Sequence, residues 1–317
     1  MAVVPGRLSL IVPVYRNEEN LPALIQALHD LSDRTGGRLE VVFTIDGSPD
    51  RSGERLASLL PTLRFPARVV FHSRNFGSFT AIRTGMEMAS GELLAVMAAD
   101  LQEPPELVLQ FFEILETGET DVVFGQRDSR RDGRVSMLLS TAFWSFYRRF
   151  IVRDIPPGGV DMFACTRQVR DVILSIEEPN SSLVAQLFWV GFRRSFVPYA
   201  RRPRAVGESG WSLSRRFRYM LDSIFSYSDL PILLVLWIGV AGVALSLLFA
   251  MVVIISRLAG FIDERGYSTI VLMITFFGSL SLAVQGVIGS YLWRTFENTK
   301  QRPLRIISGV IESDGQA

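Results

Sequence analysis

Two polar side chains follow an apolar stretch in the sequence LLAVMAADLQEPPEL, residues 93–107. Asp100 ends the apolar run, and Gln102 stands two residues later, ahead of a proline pair. A carboxylate at the end of a buried strand can bind Mg²⁺ or Mn²⁺, because these ions prefer oxygen ligands and often take only one or two carboxylates from a protein. An acid at such a place is also common as a helix cap in the following loop. The motif alone therefore leaves a metal ligand and a capping residue as alternatives.

Residues suited to ligand binding also stand at the ends of other apolar runs. Strand-like and helix-like patterns alternate from residue 8 to residue 127, which predicts an α/β fold with a mostly parallel sheet and helices on both faces. In such sheets, ligands bind at the carboxyl ends of the strands. We therefore expect one site there, formed by Pro13, Tyr15, Asp46, Ser73, Arg74, Asp100, Gln102 and Arg127.

The sequence narrows the ligand class. It contains neither a glycine-rich dinucleotide fingerprint nor a G-x-x-x-x-G-K-[ST] phosphate loop. A phosphorylated nucleotide then needs another means of binding, and a divalent cation that bridges its phosphates to Asp100 provides one. On this interpretation Asp100 and Gln102 hold a metal-bound diphosphate, while Asp46 contacts the base or the ribose. The net charge of +1 gives no argument for nucleic acid binding, and the single cysteine, Cys165, excludes an internal disulfide.

Two uncharged apolar runs, at 230–255 and 267–293, dominate the last third of the chain. Each exceeds the roughly 20 residues that cross the hydrocarbon core of a bilayer. We therefore predict a transmembrane hairpin with spans at about 230–256 and 267–293; the alternative is a pair of buried helices in a soluble protein. Arginines and lysines flank the hairpin, whereas the basic residues of its turn are offset by Asp263 and Glu264, so both ends are expected in the cytoplasm.

The segment before the hairpin, SLSRRFRYMLDSIFSYS, places apolar residues at helical spacing with arginines between them. This pattern predicts a helix in the membrane interface, although an amphipathic helix packed on the globular domain fits it as well. The expected order is a cytoplasmic catalytic domain at 1–211, the interface helix at 212–229, the hairpin at 230–293 and a cytoplasmic tail at 294–317. The first residues do not form a signal peptide, which agrees with a catalytic domain on the cytoplasmic side of the inner membrane.

An ordered set of motifs resembles glycosyltransferase family 2, and within it the polyprenyl-phosphate glycosyltransferases, such as dolichol-phosphate mannose synthases and bactoprenol glucosyltransferases. The motifs include LSLIVPVYRNEENLPAL, IDGSPDRS, SRNFGSFTAIRTGM, ADLQEPPEL, GQRDSRRDGR, GGVDMFACTR and RAVGESGWSLSRRF. Each motif is moderately specific, and their order together with a terminal hairpin is highly specific. The resemblance implies a GT-A-type fold and transfer of a sugar from a UDP- or GDP-sugar to a polyprenyl phosphate such as undecaprenyl phosphate.

The resemblance also implies roles for individual residues. Nucleotide binding is implied for Pro13, Tyr15, Asp46, Ala99, Asp100 and Arg204. Metal binding is implied for Asp100 and Gln102, and acceptor phosphate binding for Arg127, Arg134 and Ser140. Asp161 is expected near the transferred sugar, so that Asp100, Asp161 and Arg127 are the predicted catalytic residues. The arginines suit phosphates because their planar fork binds two oxygens at once.

Some positions depart from the family pattern. Ala98 replaces the first acid of a common Asp-x-Asp motif, and Asn17 and Ile45 replace further acids. Two alternatives to lipid-phosphate transfer therefore remain: a family 2 enzyme that acts on a glycan or another lipid, and a catalytically silent scaffold. Metal-dependent binding of a nucleotide sugar separates an enzyme from a scaffold. We also expect a homo-oligomer, because Gly239, Gly242 and Gly278 permit close helix packing in a membrane.

Overall fold

The computed structural model describes residues 6–127, 145, 148–149, 154–156, 160–178, 181–201, 221, 224–225, 230–259 and 266–315. The chain divides into two compact units. The first contains residues 1–216 together with 302–317, and the second contains residues 217–301. The last residues therefore belong to the first unit, whereas the sequence predicted a separate tail from residue 294.

The first unit is built on an eight-stranded sheet. Its strands are β1 (Leu8–Val14), β2 (Leu39–Ile45), β3 (Ala67–His72), β4 (Leu93–Val96), β5 (Val122–Arg127), β6 (Val160–Thr166), β7 (Arg194–Tyr199) and β8 (Ile307–Ser313). They lie in the order β7-β5-β6-β4-β1-β2-β3-β8. β1 to β5 and β7 run in one direction, while β6 and β8 run in the other. The predicted mostly parallel α/β sheet is confirmed. The alternation of strand-like and helix-like segments did not predict the two reversed strands, β6 and β8.

Helices cover both faces of this sheet. They are α1 (Leu21–Arg34), α2 (Ser52–Leu59), α3 (Ser78–Met88), α4 (Glu106–Glu116), α5 (Arg167–Ser175) and α6 (Leu183–Trp189). Alternate residues of β1 point to opposite faces. Leu10 and Val12 belong to the core that α1 and α4 cover, through Leu28 and Phe111 among others. On the other face α3 packs against β1 so closely that a Cβ at Gly85 would lie 2.3 Å from Ile11.

The second unit contains two long helices, α7 (Leu230–Leu258) and α8 (Tyr267–Thr299). Their positions match the two apolar runs, so the prediction of two helices there is confirmed. Within the ranges given above, however, no helix is both long enough and apolar enough to cross a membrane. The predicted pair of transmembrane spans is therefore not supported. The predicted interface helix at 212–229 lies almost entirely outside the described residues.

Candidate active site

The strand directions bring the predicted site residues to one end of the sheet, which we call the carboxyl end. There β1 to β5 and β7 terminate, and the reversed strands β6 and β8 begin. Asp161, the second residue of β6, is therefore at the same end as Arg127, the last residue of β5. The carboxyl end also carries Pro13, Tyr15, Asp46, Ala99, Asp100 and Gln102. The side chain of Asp161 and the predicted Arg134, Ser140 and Arg204 lie outside the described part.

Asp46, directly after β2, is a buried carboxylate with 3% of its surface exposed. One of its oxygens accepts a hydrogen bond from the Phe76 amide at 2.8 Å and lies 2.9 Å from Nδ1 of His72. The other accepts from the Gly77 amide at 2.8 Å. These amides belong to the two residues before Ser78, the first residue of α3, so Asp46 holds the loop that leads into that helix. The structure thus gives Asp46 a structural role, while its contact with a nucleotide stays a prediction.

The loops after β2 and β3 are in direct contact. Gly47 has a φ of +57°, and a Cβ there would lie 2.3 Å from the carbonyl carbon of Arg74. His72 continues the contact into α3, since its Nε2 lies 2.8 Å from the Thr84 hydroxyl. Glycine at position 47 and the buried imidazole therefore hold the loops after β2 and β3 and the helix α3 together at the carboxyl end of the sheet.

Asp50 joins the loop after β2 to the loop after β1. It accepts hydrogen bonds from the hydroxyls of Ser48 at 2.6 Å and Ser52 at 2.8 Å. Those same hydroxyl oxygens accept from the backbone amides of Arg16 at 2.8 Å and Asn17 at 3.2 Å. Burial raises the pKa of Asp50, but the hydrogen bonds outweigh burial and leave this pKa below its ordinary value. The network holds the backbone next to Tyr15 in place.

Asp100 lies in the loop between β4 and α4 and is partly exposed. Leu101 has a φ of +52°, a left-handed conformation that is uncommon for a residue with a side chain. The turn brings the Gln102 amide to 3.4 Å from a carboxylate oxygen of Asp100. The side-chain oxygen of Gln102 accepts a hydrogen bond from Nη2 of Arg201 at 2.6 Å. Since an arginine already binds that oxygen, metal binding by Gln102 would require this contact to break.

The donor set at the carboxyl end fits a divalent cation held jointly with a ligand. In the described ranges, no group of three or more His, Cys, Asp or Glu side chains could hold a metal ion. Mg²⁺ and Mn²⁺ need no such group, because they are often bound by one or two carboxylates together with phosphate oxygens and water. Asp100 offers a partly exposed carboxylate of this kind. A cation at this site would therefore arrive with, or be completed by, a bound diphosphate.

Sequence reasoning missed two residues at this site, Glu103 and Arg201. Glu103 is 2% exposed, and its carboxylate lies 3.3 Å from Nε of Arg201, which follows β7. The sequence offered weak signals for both: an acid ahead of two prolines, and an arginine at the start of the run RRPR. Neither signal predicts a contact across 98 residues, because the contact depends on where β7 lies in the sheet.

The chain is similar to several known proteins. Residues 9–174 match glycosyl transferase family 2. An uncharacterized glycosyltransferase of Synechocystis sp. is 32% identical over 95% of this chain and 94% of its own length. A bactoprenol glucosyl transferase of Shigella phage SfV is 29% identical over 95% of this chain and 98% of its own length. Among solved structures, mannosyl-3-phosphoglycerate synthase from Rubrobacter xylanophilus superposes with a TM-score of 0.49 at 16% identity, covering 69% of this chain and 71% of that one.

Proposed function

The chain belongs to glycosyl transferase family 2, and on that premise we propose that it transfers one sugar from a UDP- or GDP-sugar to a polyprenyl phosphate. The observation that carries the proposal is the arrangement at the carboxyl end of the sheet. A partly exposed carboxylate, Asp100, follows β4, while Arg127 ends β5 and Asp161 lies in the strand between them, β6. The carboxylate of Asp100 suits a metal-bound diphosphate, and the guanidinium of Arg127 suits an anionic acceptor.

Asp100 and Arg127 have different tasks in this reaction. A bound divalent cation would neutralise the charge that develops on the leaving nucleoside diphosphate. Asp100 supplies the protein ligand for that cation. Arg127 binds and orients the acceptor phosphate through its planar guanidinium. The acceptor phosphate is already an anion, so its oxygen attacks the anomeric carbon without a strong general base. The bond between that carbon and the diphosphate oxygen breaks, and the nucleoside diphosphate leaves.

The lipid nature of the acceptor has two supports. The relative from Shigella phage SfV is named a bactoprenol glucosyl transferase, and it matches over nearly the full length of both chains. In the second unit, large apolar side chains face outward: Trp237 is 67% exposed, Leu245 67% and Ile274 68%. Exposed apolar surface on this scale marks a contact with lipid or with another protein. We propose that these helices bind the membrane lipid and that the first unit acts at the cytoplasmic face.

The proposed function is tested by measuring the transfer of radiolabelled sugar to the lipid. Purified protein in detergent is mixed with undecaprenyl phosphate, Mg²⁺ or Mn²⁺, and each of a panel of labelled UDP- and GDP-sugars. The proposal predicts label in the organic phase for at least one donor, with no such label when the cation is chelated. Label that enters only polymer or water-soluble product would instead indicate a family 2 enzyme with a glycan acceptor. A protein that binds no donor would be a scaffold.

A further inference from the structure

Arg201 lies where the last residues of the β7 segment meet the loop that carries Asp100. Its guanidinium contacts two consecutive residues of that loop: Nη2 donates to the side-chain oxygen of Gln102 at 2.6 Å, and Nε lies 3.3 Å from a carboxylate oxygen of Glu103. One third of the Arg201 side chain is exposed, at 33%, whereas the Glu103 side chain is 2% exposed. Arg201 therefore connects the end of the β7 segment to the loop between β4 and α4.

The charge on Glu103 explains why such a contact matters. A buried carboxylate is costly unless it is paired. Glu103 follows Asp100 by three residues, so this loop carries two carboxylates close to the place where a diphosphate would bind. The guanidinium of Arg201 offsets one of them. The second contact, to Gln102, fixes the residue next to Leu101, whose left-handed backbone sets the direction of the turn after Asp100.

We propose that Arg201 is a positioning residue for donor binding: it neutralises Glu103 and holds Gln102, so that Asp100 meets the donor diphosphate on a fixed loop of reduced negative charge. This inference rests on the proposed function, since it names what prepares the donor site. Arg201 acts through the loop. The alternative is that Arg201 contacts the diphosphate directly. The two arrangements predict different diphosphate affinities for an Arg201 variant in which Glu103 has also lost its charge.

The first measurement needs no ligand. Hydrogen exchange of the backbone amides of residues 100–103 is compared between the wild-type protein and Arg201→Ala. Exchange in this loop should rise by about tenfold in the variant, because local opening becomes easier when the tie to β7 is lost. Unchanged exchange would overturn the proposal. If Arg201→Ala does not fold, Arg201→Gln removes the charge while keeping a hydrogen-bond donor, and the same comparison applies.

The control variant is Arg193→Ala. Arg193 precedes the same strand at its other end, and it forms an ion pair with Asp121, with Nη2 and Oδ1 2.8 Å apart. It thus matches Arg201 in residue type and in strand, but it lies at the opposite end of the sheet from Asp100. Exchange in residues 100–103 should stay at the wild-type rate in this variant. A rise equal to that of Arg201→Ala would contradict a specific role for Arg201.

The second measurement is a double-mutant cycle of Arg201→Ala, Glu103→Gln and both changes together. The quantity measured is the affinity for UDP and for GDP with Mn²⁺. Arg201→Ala should weaken the tighter of the two diphosphates about tenfold, a size typical of coupled charged groups. Adding Glu103→Gln should restore the affinity to within about threefold of wild type, because no carboxylate then needs neutralising. Persistent weakness in the double variant would show that the charge of Glu103 is not what Arg201 offsets, and would overturn the proposal. If the wild type binds neither diphosphate, the proposed function fails, whereas the exchange result still decides the role of Arg201.

Discussion

Three aspartates at the carboxyl end of the sheet have different surroundings and therefore different capacities. Asp46 is buried and accepts from two backbone amides of the loop before α3. Asp50 accepts from two hydroxyls and from the Ser52 amide, at 3.2 Å. Asp100 is partly exposed at a left-handed turn. Asp46 is thus held by the loop before α3 and Asp50 by the residues around Ser48 and Ser52, whereas Asp100 lies at the turn after β4, where we propose that the cation binds.

The residue-scale prediction concerns Asp100. Asp100→Ala should abolish the cation dependence of nucleotide-sugar binding and lower turnover by about 100-fold or more, because it removes the carboxylate that would bind the cation. Ala98→Asp is the matched change in the same loop; it adds an acid two residues earlier and should be tolerated or should tighten cation dependence. Titration of the donor with and without Mn²⁺ measures both. An Asp100→Ala protein with wild-type turnover would remove the metal role of this residue.

At the opposite end of the sheet, the carboxylate of Glu40 forms a buried hydrogen-bond network. Glu40 of β2 is buried and accepts hydrogen bonds from the Ser9 hydroxyl at 2.5 Å and the Ser90 hydroxyl at 2.6 Å. Burial raises the pKa of Glu40, but these hydrogen bonds, the Ser90 amide and the charge of Arg68 outweigh burial and leave that pKa below its ordinary value. Glu40 therefore ties β1 and β2 to the segment before β4.

This shift predicts how stability depends on pH. Because the pKa of Glu40 is lower in the folded state, its contribution is fully present above the unfolded pKa of about 4.3 and is lost as the pH falls through the folded value. Glu40→Gln should cost about 1–3 kcal/mol of unfolding free energy at pH 7, since an amide nitrogen would face hydrogen-bond donors. The cost should shrink below pH 4. Urea unfolding at pH 7 and at low pH tests this, and a pH-independent cost would contradict it.

At the scale of elements, the reversed strands extend the sheet beyond its parallel core. β6 brings Asp161 to the carboxyl end because it runs against β4. β8 adds an antiparallel edge strand next to β3, and the Ser73 amide donates to the Ile306 carbonyl at 3.0 Å. Arg305 also forms an ion pair with Glu87 of α3. The segment after α8 therefore covers β3 and contacts α3, the two elements that carry the His72–Thr84 contact.

The element-scale prediction is that β8 is required for a stable first unit. Removal of residues 302–317 should lower the unfolding free energy by at least about 2 kcal/mol and the melting temperature by about 4–8 °C, because it exposes the edge of β3 and breaks the Arg305–Glu87 pair. Removal of residues 316–317 alone is the control. Thermal unfolding of both truncations measures the effect. Equal melting temperatures for the longer truncation and the full chain would contradict it.

At the scale of the whole molecule, the alternation of strand-like and helix-like segments was sufficient to predict the α/β class and the residues at strand ends. It did not predict β6 and β8, because strand direction depends on pairing between segments far apart in the chain. The motif around Asp46 placed this residue at the carboxyl end of the sheet, where the structure has it, but a carboxylate that holds a loop and one that binds a ligand have the same sequence pattern. Arg201 was missed for a similar reason: its partners lie about a hundred residues earlier in the chain.

The outward apolar side chains of the second unit give a prediction at the same scale. Leu245→Asp combined with Ile274→Asp should release the protein from membranes washed with carbonate and lower transfer to the lipid acceptor, because charged side chains resist contact with hydrocarbon. Nucleotide binding should be unchanged. Trp189→Asp is the control, since Trp189 is 71% exposed but belongs to the first unit. Equal release by the control, or none by the double variant, would contradict lipid contact by α7 and α8.

The sugar acceptor that we propose is the phosphate of a polyprenyl lipid. The most direct measurement compares undecaprenyl phosphate with undecaprenol under identical donor and cation conditions, with wild-type protein and with Arg127→Ala. We predict labelled lipid from the phosphate and none from the alcohol, and a higher acceptor KM in Arg127→Ala at an unchanged donor affinity. Equal transfer to the alcohol, or transfer that does not depend on either lipid, would contradict the account.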